Sequence, residues 1–81
     1  MKKLSVIAPG TCVKIKSIHD NALKPKLLEM GLIQGNEVKV LFKAPLGDPM
    51  AIAIQGYILS LRMDEASLIE VEDLTHSSTL I

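Results

Sequence analysis

The sequence is poor in aromatic residues and has no excess of charge. Phe42 and Tyr57 are its only aromatic residues. RNA-binding barrels stack bases on surface aromatics, and proline-peptide-binding SH3 domains line their groove with them. Nine basic residues balance nine acidic ones, so no net positive field attracts phosphate. We therefore expect no nucleic-acid partner and no proline-peptide groove.

Cysteine and long apolar runs are also scarce. The lone Cys12 cannot form an intramolecular disulfide. The apolar run after Lys2 and Lys3 ends at Pro9-Gly10, too short for a signal-peptide core or a membrane span. We expect a cytoplasmic protein without direct membrane insertion, which meets a membrane only through a partner.

The residues that are present favour strands, because a core of Val, Ile and Leu suits a pleated surface. Alternation of apolar with polar or small residues predicts five strands, within residues 11–18, 36–44, 50–55, 57–62 and 69–72. In the second strand the pattern assigns Val38, Val40 and Phe42 to the inner face. A helix of about two turns is predicted after the first strand, with Pro25 in its first turn and Gly31 at its end. A short helical turn, DEASL, precedes the last strand.

These elements predict a mostly β domain: a small five-stranded barrel with a short helix after the first strand and a helical turn before the last. Closure would remove the edges that short strands otherwise expose. The domain is expected to span residues 1–74. Residues 75–81 form a polar tail that we expect to be mobile.

Several short motifs occur once each, in a specific order and spacing, over roughly residues 4 to 73. They are Leu4, Pro9-Gly10, Leu27-Leu28-Glu29-Met30-Gly31-Leu32, Gly35, Ala44-Pro45-Leu46-Gly47-Asp48-Pro49, Gly56-Tyr57, Leu61-Arg62, Glu65-Ala66 and Ile69-Glu70-Val71. In this order and spacing the chain resembles the ferrous iron transport protein A (FeoA) family. One departure is Lys26, which stands after Pro25 where the family usually has an arginine.

The resemblance implies an SH3-like barrel and a non-enzymatic accessory role in bacterial ferrous iron uptake. The implied partner is the membrane ferrous iron transporter, which carries a cytosolic GTP-binding domain. An alternative is a regulatory SH3-like interaction module, related to the C-terminal domain of iron-dependent repressors. We expect no DNA-binding helices ahead of the domain, as a repressor would have.

The loop KAPLGDPM is the first candidate contact surface. Its prolines fix their own φ and restrict the residue before each of them, so the loop is stiff. A stiff loop gives up little entropy when a partner orders it. Two interpretations stay open, a barrel corner and a partner-recognition element. The candidate residues are Pro45, Leu46, Gly47, Asp48 and Pro49, with Asp48 and Arg62 giving direction to the contact.

The predicted helix is the second candidate. Adjacent helical residues diverge by about 100°, so Leu27, Leu28 and Met30 cannot all face one core unless the helix covers an open barrel end. Either all three are buried, or part of this apolar surface contacts a partner. The same two interpretations, burial or contact with a partner, apply to the apolar residues on the supposed outer strand faces: Leu41, Ala51, Ala53 and Ile58. A patch of such residues also leads us to expect weak self-association.

Metal, cofactor and catalytic sites are not expected. His19, Asp20, Cys12 and His76 lack the spacing of a metal site. The serines have no adjacent base and orienting acid, and no glycine-rich phosphate loop is present. We therefore expect that the protein is not an enzyme.

Overall fold

Six strands and two short helices make up the computed structural model, which describes residues 2–74. The predicted tail, residues 75–81, lies outside the described residues. A 3-10 turn spans Leu4–Val6. The helices are α1 (Lys24–Glu29) and α2 (Met63–Ala66). The strands are β1 (Lys2–Lys3), β2 (Cys12–Ile18), β3 (Glu37–Lys43), β4 (Met50–Ile54), β5 (Tyr57–Leu61) and β6 (Ile69–Asp73).

The strands form one antiparallel sheet in the order β1-β6-β2-β3-β4-β5. The prediction of a mostly β domain is confirmed, with the helix and the helical turn at the expected places. The count of five strands was one short, because the two polar residues of β1 pair with β6. Among residues 2–74 no ladder joins β1 to β5, so the sheet keeps two edges instead of closing by hydrogen bonds.

The core lies on the inner face of this bent sheet. As the alternation predicted, Val13 and Ile15 of β2 and every second residue of β4 from Met50 are buried. Leu4 of the 3-10 turn, Leu27 of α1 and Leu32 fill the remaining space and are fully buried. Burial of a large aliphatic side chain is worth roughly 1.5–3 kcal/mol, so these contacts fix α1 against the sheet.

Phe42 does not face the core, and its predicted position was wrong. Val40 lies opposite Ile52, whereas Phe42 lies opposite Ala51, so Leu41 is an extra residue in β3. Such a β-bulge shifts the side-chain alternation by one position. Phe42 is 60% exposed as a result.

Sequence signals at both ends of α1 act as predicted. Pro25 occupies its first turn, and the side-chain oxygen of Asn21 accepts the Leu23 N–H at 2.9 Å just before it. Gly31 follows with φ +98°. A Cβ at Gly31 would stand 2.8 Å from the Tyr57 hydroxyl oxygen, so glycine is needed here for backbone conformation and for space.

Candidate functional site

The connection between β3 and β4 is a loop closed by its own hydrogen bonds, and we call residues 44–49 the proline loop. The Ala44 N–H donates to the Pro49 carbonyl at 2.9 Å, and the Gly47 N–H donates to the Ala44 carbonyl at 2.6 Å. Pro45 and Leu46 occupy the centre of the resulting four-residue turn. Leu46 is 96% exposed at its tip.

Asp48 attaches the proline loop to α2. Its carboxylate accepts the backbone N–H of Met63, the first residue of α2, at 3.1 Å. The first N–H groups of a helix have no partner inside it, and a negative charge there is favourable. The peptide bond between Asp48 and Pro49 is cis. Through its hydrogen bond to Met63, Asp48 holds the loop in place, in addition to any contact with a partner.

Glu65 attaches α2 to α1. It is the one buried charged residue among residues 2–74, with 6% of its surface exposed. One carboxylate oxygen accepts the backbone N–H of Arg62 at 2.9 Å, and the other accepts from Lys26 Nζ at 3.3 Å. A lysine makes this contact with a single nitrogen, whereas an arginine could use two. The proline loop, α2 and α1 thus form one connected framework.

The residues of α1 divide between core and surface. Leu27 is fully buried and Leu28 is 40% exposed, while Met30, directly after the last residue of α1, is half-buried against the core. Burial of all three residues is therefore wrong, and the contact of Leu28 with a partner stays a prediction. A partner can reach Leu28, while Leu27 supports it from the core.

Arg62, which was predicted to give direction to a partner contact, is exposed and takes part in no ion pair among the described residues. Its guanidinium remains available to solvent.

The outer face of the β3–β5 hairpins is less uniform than the sequence suggested. Ala51 is buried, Leu41 and Ala53 are half-buried, and Ile58 is exposed. Phe42, displaced by the bulge, adds an exposed aromatic ring that the pattern had placed inside.

His19 and the metal candidates form no cluster. The His19 Nε2 lies 2.7 Å from a Glu70 carboxylate oxygen. Within residues 2–74, no three His, Cys, Asp or Glu side chains come together in a group that could hold a metal ion. In the same part of the chain, no helix is long and apolar enough to cross a membrane.

Comparisons with known proteins agree with this architecture. The FeoA domain family matches residues 2–73. The fusion protein of Fe(2+) transport protein A and the Fe(2+) transporter FeoB from Porphyromonas gingivalis is 39% identical over 78 residues, which are 95% of this chain and 9% of that protein. The chain thus spans less than a tenth of this relative's length.

Solved structures give the fold class. The FeoA-like protein of Clostridium acetobutylicum is 35% identical with a TM-score of 0.86, over 98% of this chain and 93% of that one. Stenotrophomonas maltophilia FeoA, solved with zinc and described as a prokaryotic SH3 domain protein, is 27% identical with a TM-score of 0.79, over 89% and 91%. A manganese-dependent repressor shares the fold alone, at 19% identity and a TM-score of 0.83, over 90% of this chain and 36% of that one.

The fold and its neighbours define a small SH3-like domain. Within that class, this chain belongs to the FeoA family of ferrous iron transport.

Sequence reasoning missed three surface residues. Ile33 is 48% exposed beside α1, and Lys16 and Lys24 lie close to it. They come from three separate stretches of chain, so no local motif joins them.

Proposed function

We propose that this protein is a non-enzymatic, cytoplasmic accessory protein of bacterial ferrous iron uptake that binds the membrane ferrous iron transporter. The observation that carries the proposal is the exposed Leu46 on a loop held in shape by Asp48 and by its own hydrogen bonds.

The energetics of Leu46 suit a binding anchor. With 96% of its surface exposed, this side chain contributes almost nothing to the core. Its burial against a partner would be worth roughly 1.5–3 kcal/mol. Because the loop is already ordered, little conformational entropy opposes that burial. The other exposed candidates for this contact are Leu28, Pro45, Pro49 and Arg62.

The relative from Porphyromonas gingivalis supports the transporter as the partner. In that protein a segment similar to this chain is joined to a FeoB transporter in one polypeptide. Fusion holds two domains at high effective concentration, which is useful when the two act together. The family's place in ferrous iron transport points the same way.

The test is a calorimetric titration of the protein into the purified cytosolic region of the matching transporter. We expect saturable binding, and Leu46→Ser should weaken it about tenfold, since loss of about 1.4 kcal/mol corresponds to that factor. The matched control is Val6→Ser, which removes another exposed aliphatic side chain, 65% exposed in the 3-10 turn.

Equal affinities for the wild type and Leu46→Ser would contradict the assigned surface. A titration at about 100 μM would reveal micromolar affinities. If the wild type shows no binding at that concentration, the proposed partner region is contradicted.

A further inference from the structure

An open groove lies between α1 and β2, and no residue of the proline loop lines it. Its walls are Lys16 to Ile18 of β2, Lys24 and Leu28 of α1, and the segment Leu32 to Gln34. We call it the α1–β2 groove. Its volume is about 260 Å³.

The floor of the groove is apolar and partly exposed. Leu32 and Ile18 are buried beneath it, whereas Leu28 and Ile33 are 40% and 48% exposed. An aliphatic side chain laid between Leu28 and Ile33 would remove apolar surface of all three from water. Small-molecule pockets usually measure roughly 300–1,000 Å³, so this smaller, open groove suits one or two side chains of a polypeptide better than a metabolite.

The charges at the groove have one sign. Both charged residues that line it, Lys16 and Lys24, are basic, although the whole chain has no net charge. Lys16 is in none of the ion pairs of residues 2–74. Lys24 contacts Asp20 at 3.2 Å, but that carboxylate is 99% exposed. Exposed pairs of this kind are weak, so an incoming carboxylate can compete for Lys24.

We propose that the α1–β2 groove binds an acidic polypeptide segment, which places one apolar side chain between Leu28 and Ile33 and carboxylates beside Lys16 and Lys24. Charge complementarity selects the segment, and apolar burial holds it. This contact does not depend on Leu46 or on the transporter as the partner.

The test uses the full chain, labelled with ¹⁵N, and three capped pentapeptides followed by amide NMR. The probe is acetyl-EDLED-amide. Acetyl-EDSED-amide keeps the charge and lacks the anchor, and acetyl-KRLKR-amide keeps the anchor and reverses the charge. We expect saturable shifts of the Ser17, Leu28 and Ile33 amides with EDLED at about millimolar concentrations, and at least threefold smaller shifts with both controls.

Two charge variants locate the site. Lys16→Glu should weaken EDLED binding about threefold to tenfold, because one favourable charge contact becomes repulsive. The control is Lys39→Glu, an equal charge change at an exposed lysine that lies opposite Cys12, at the other end of β2. Both variants should give dispersed spectra of the folded protein.

Any one of three results would overturn the proposal. The first is no saturable shift of the groove amides with EDLED at about 5 mM, well above the expected dissociation constant. The second is an equal response to EDSED or KRLKR, which would leave no role for the anchor or for charge. The third is equal weakening by Lys16→Glu and Lys39→Glu, which would indicate nonspecific attraction.

Discussion

The two hairpins that share β4 both connect adjacent antiparallel strands, but their connections differ greatly in length. Ile54 and Tyr57 pair across a turn of two residues, Gln55-Gly56. Both turn residues have positive φ, +53° for Gln55 and +85° for Gly56. Lys43 and Met50 pair in the same antiparallel manner across the six residues of the proline loop. Two-residue turns with positive φ at both positions match the twist of the strands.

The shorter connection shows that pairing alone does not need six residues. The extra residues of the proline loop do two other things: Asp48 accepts the first N–H of α2, and Leu46 is held in solvent. The tight turn has one tertiary consequence, since it places Tyr57 so that its hydroxyl donates to the Met30 carbonyl at 2.6 Å. Length beyond the minimum therefore reflects connections to other elements.

The largest expected change in stability comes from crowding Tyr57. Gly31→Ala puts a Cβ at 2.8 Å from the Tyr57 hydroxyl oxygen at a residue with φ +98°. Strain and clash together should lower the free energy of unfolding by about 2–4 kcal/mol. Gly35→Ala is the control, because its φ is +93° and nothing lies within 4 Å of a new Cβ. Denaturant unfolding measures both, and equal losses would mean that the Tyr57 contact is unimportant.

Exchange of the proline loop for Asn-Gly makes the two hairpins alike. The Lys43–Met50 pair can still form across two residues, so we expect the protein to fold. Loss of the acceptor for the Met63 N–H should lower stability by about 1–2 kcal/mol. Binding to the transporter should fall about tenfold or more, because Leu46 is removed. Calorimetry and chemical denaturation measure the two effects separately, and retained binding would assign recognition to another surface.

Asp48 alone should account for most of that loss of stability. Asp48→Ala removes the acceptor at the start of α2 and should lower the free energy of unfolding by about 1 kcal/mol. Asp48→Asn keeps an oxygen acceptor without the charge and should lose about half as much. Urea unfolding of both variants checks this order. If alanine and asparagine have equal effects, the Met63 contact is not what stabilises the loop.

The smallest expected effect lies in the tight turn. Gln55 has φ +53°, a conformation in which asparagine is favoured over longer side chains. Gln55→Asn creates the preferred Asn-Gly turn and should raise the free energy of unfolding by about 0.5 kcal/mol. Thermal unfolding measures this. A decrease would mean that the glutamine side chain has a role beyond the backbone conformation.

Local patterns in the sequence predicted much of the fold. Alternation identified the inner faces of β2 and β4, and Pro25 and Gly31 marked α1. Phe42 was misplaced because a bulge depends on how two strands align, which one strand's sequence does not encode. The two lysines of β1 carry no strand signal of their own and pair only because β6 offers them an edge.

The candidate site was predictable only in part, for the same reason. Proline and glycine indicated a stiff loop, and Leu46 at its tip could be proposed from sequence. The partner of Asp48 lies 15 residues away at the start of α2, and Lys26 meets Glu65 across 39 residues. The α1–β2 groove likewise assembles from distant residues, so tertiary packing alone reveals it.

The pairing of β1 with β6 makes the chain suitable for circular permutation. Lys2 lies opposite Val71, so the two ends of the described chain are close together. Joining them would cost little loop-closure entropy, which grows slowly with linker length. A circular form could then be opened at the exposed Gln55-Gly56 turn, since such surface turns tolerate new termini. The same ladder of strands would form from a permuted gene, with the proline loop and the α1–β2 groove unbroken.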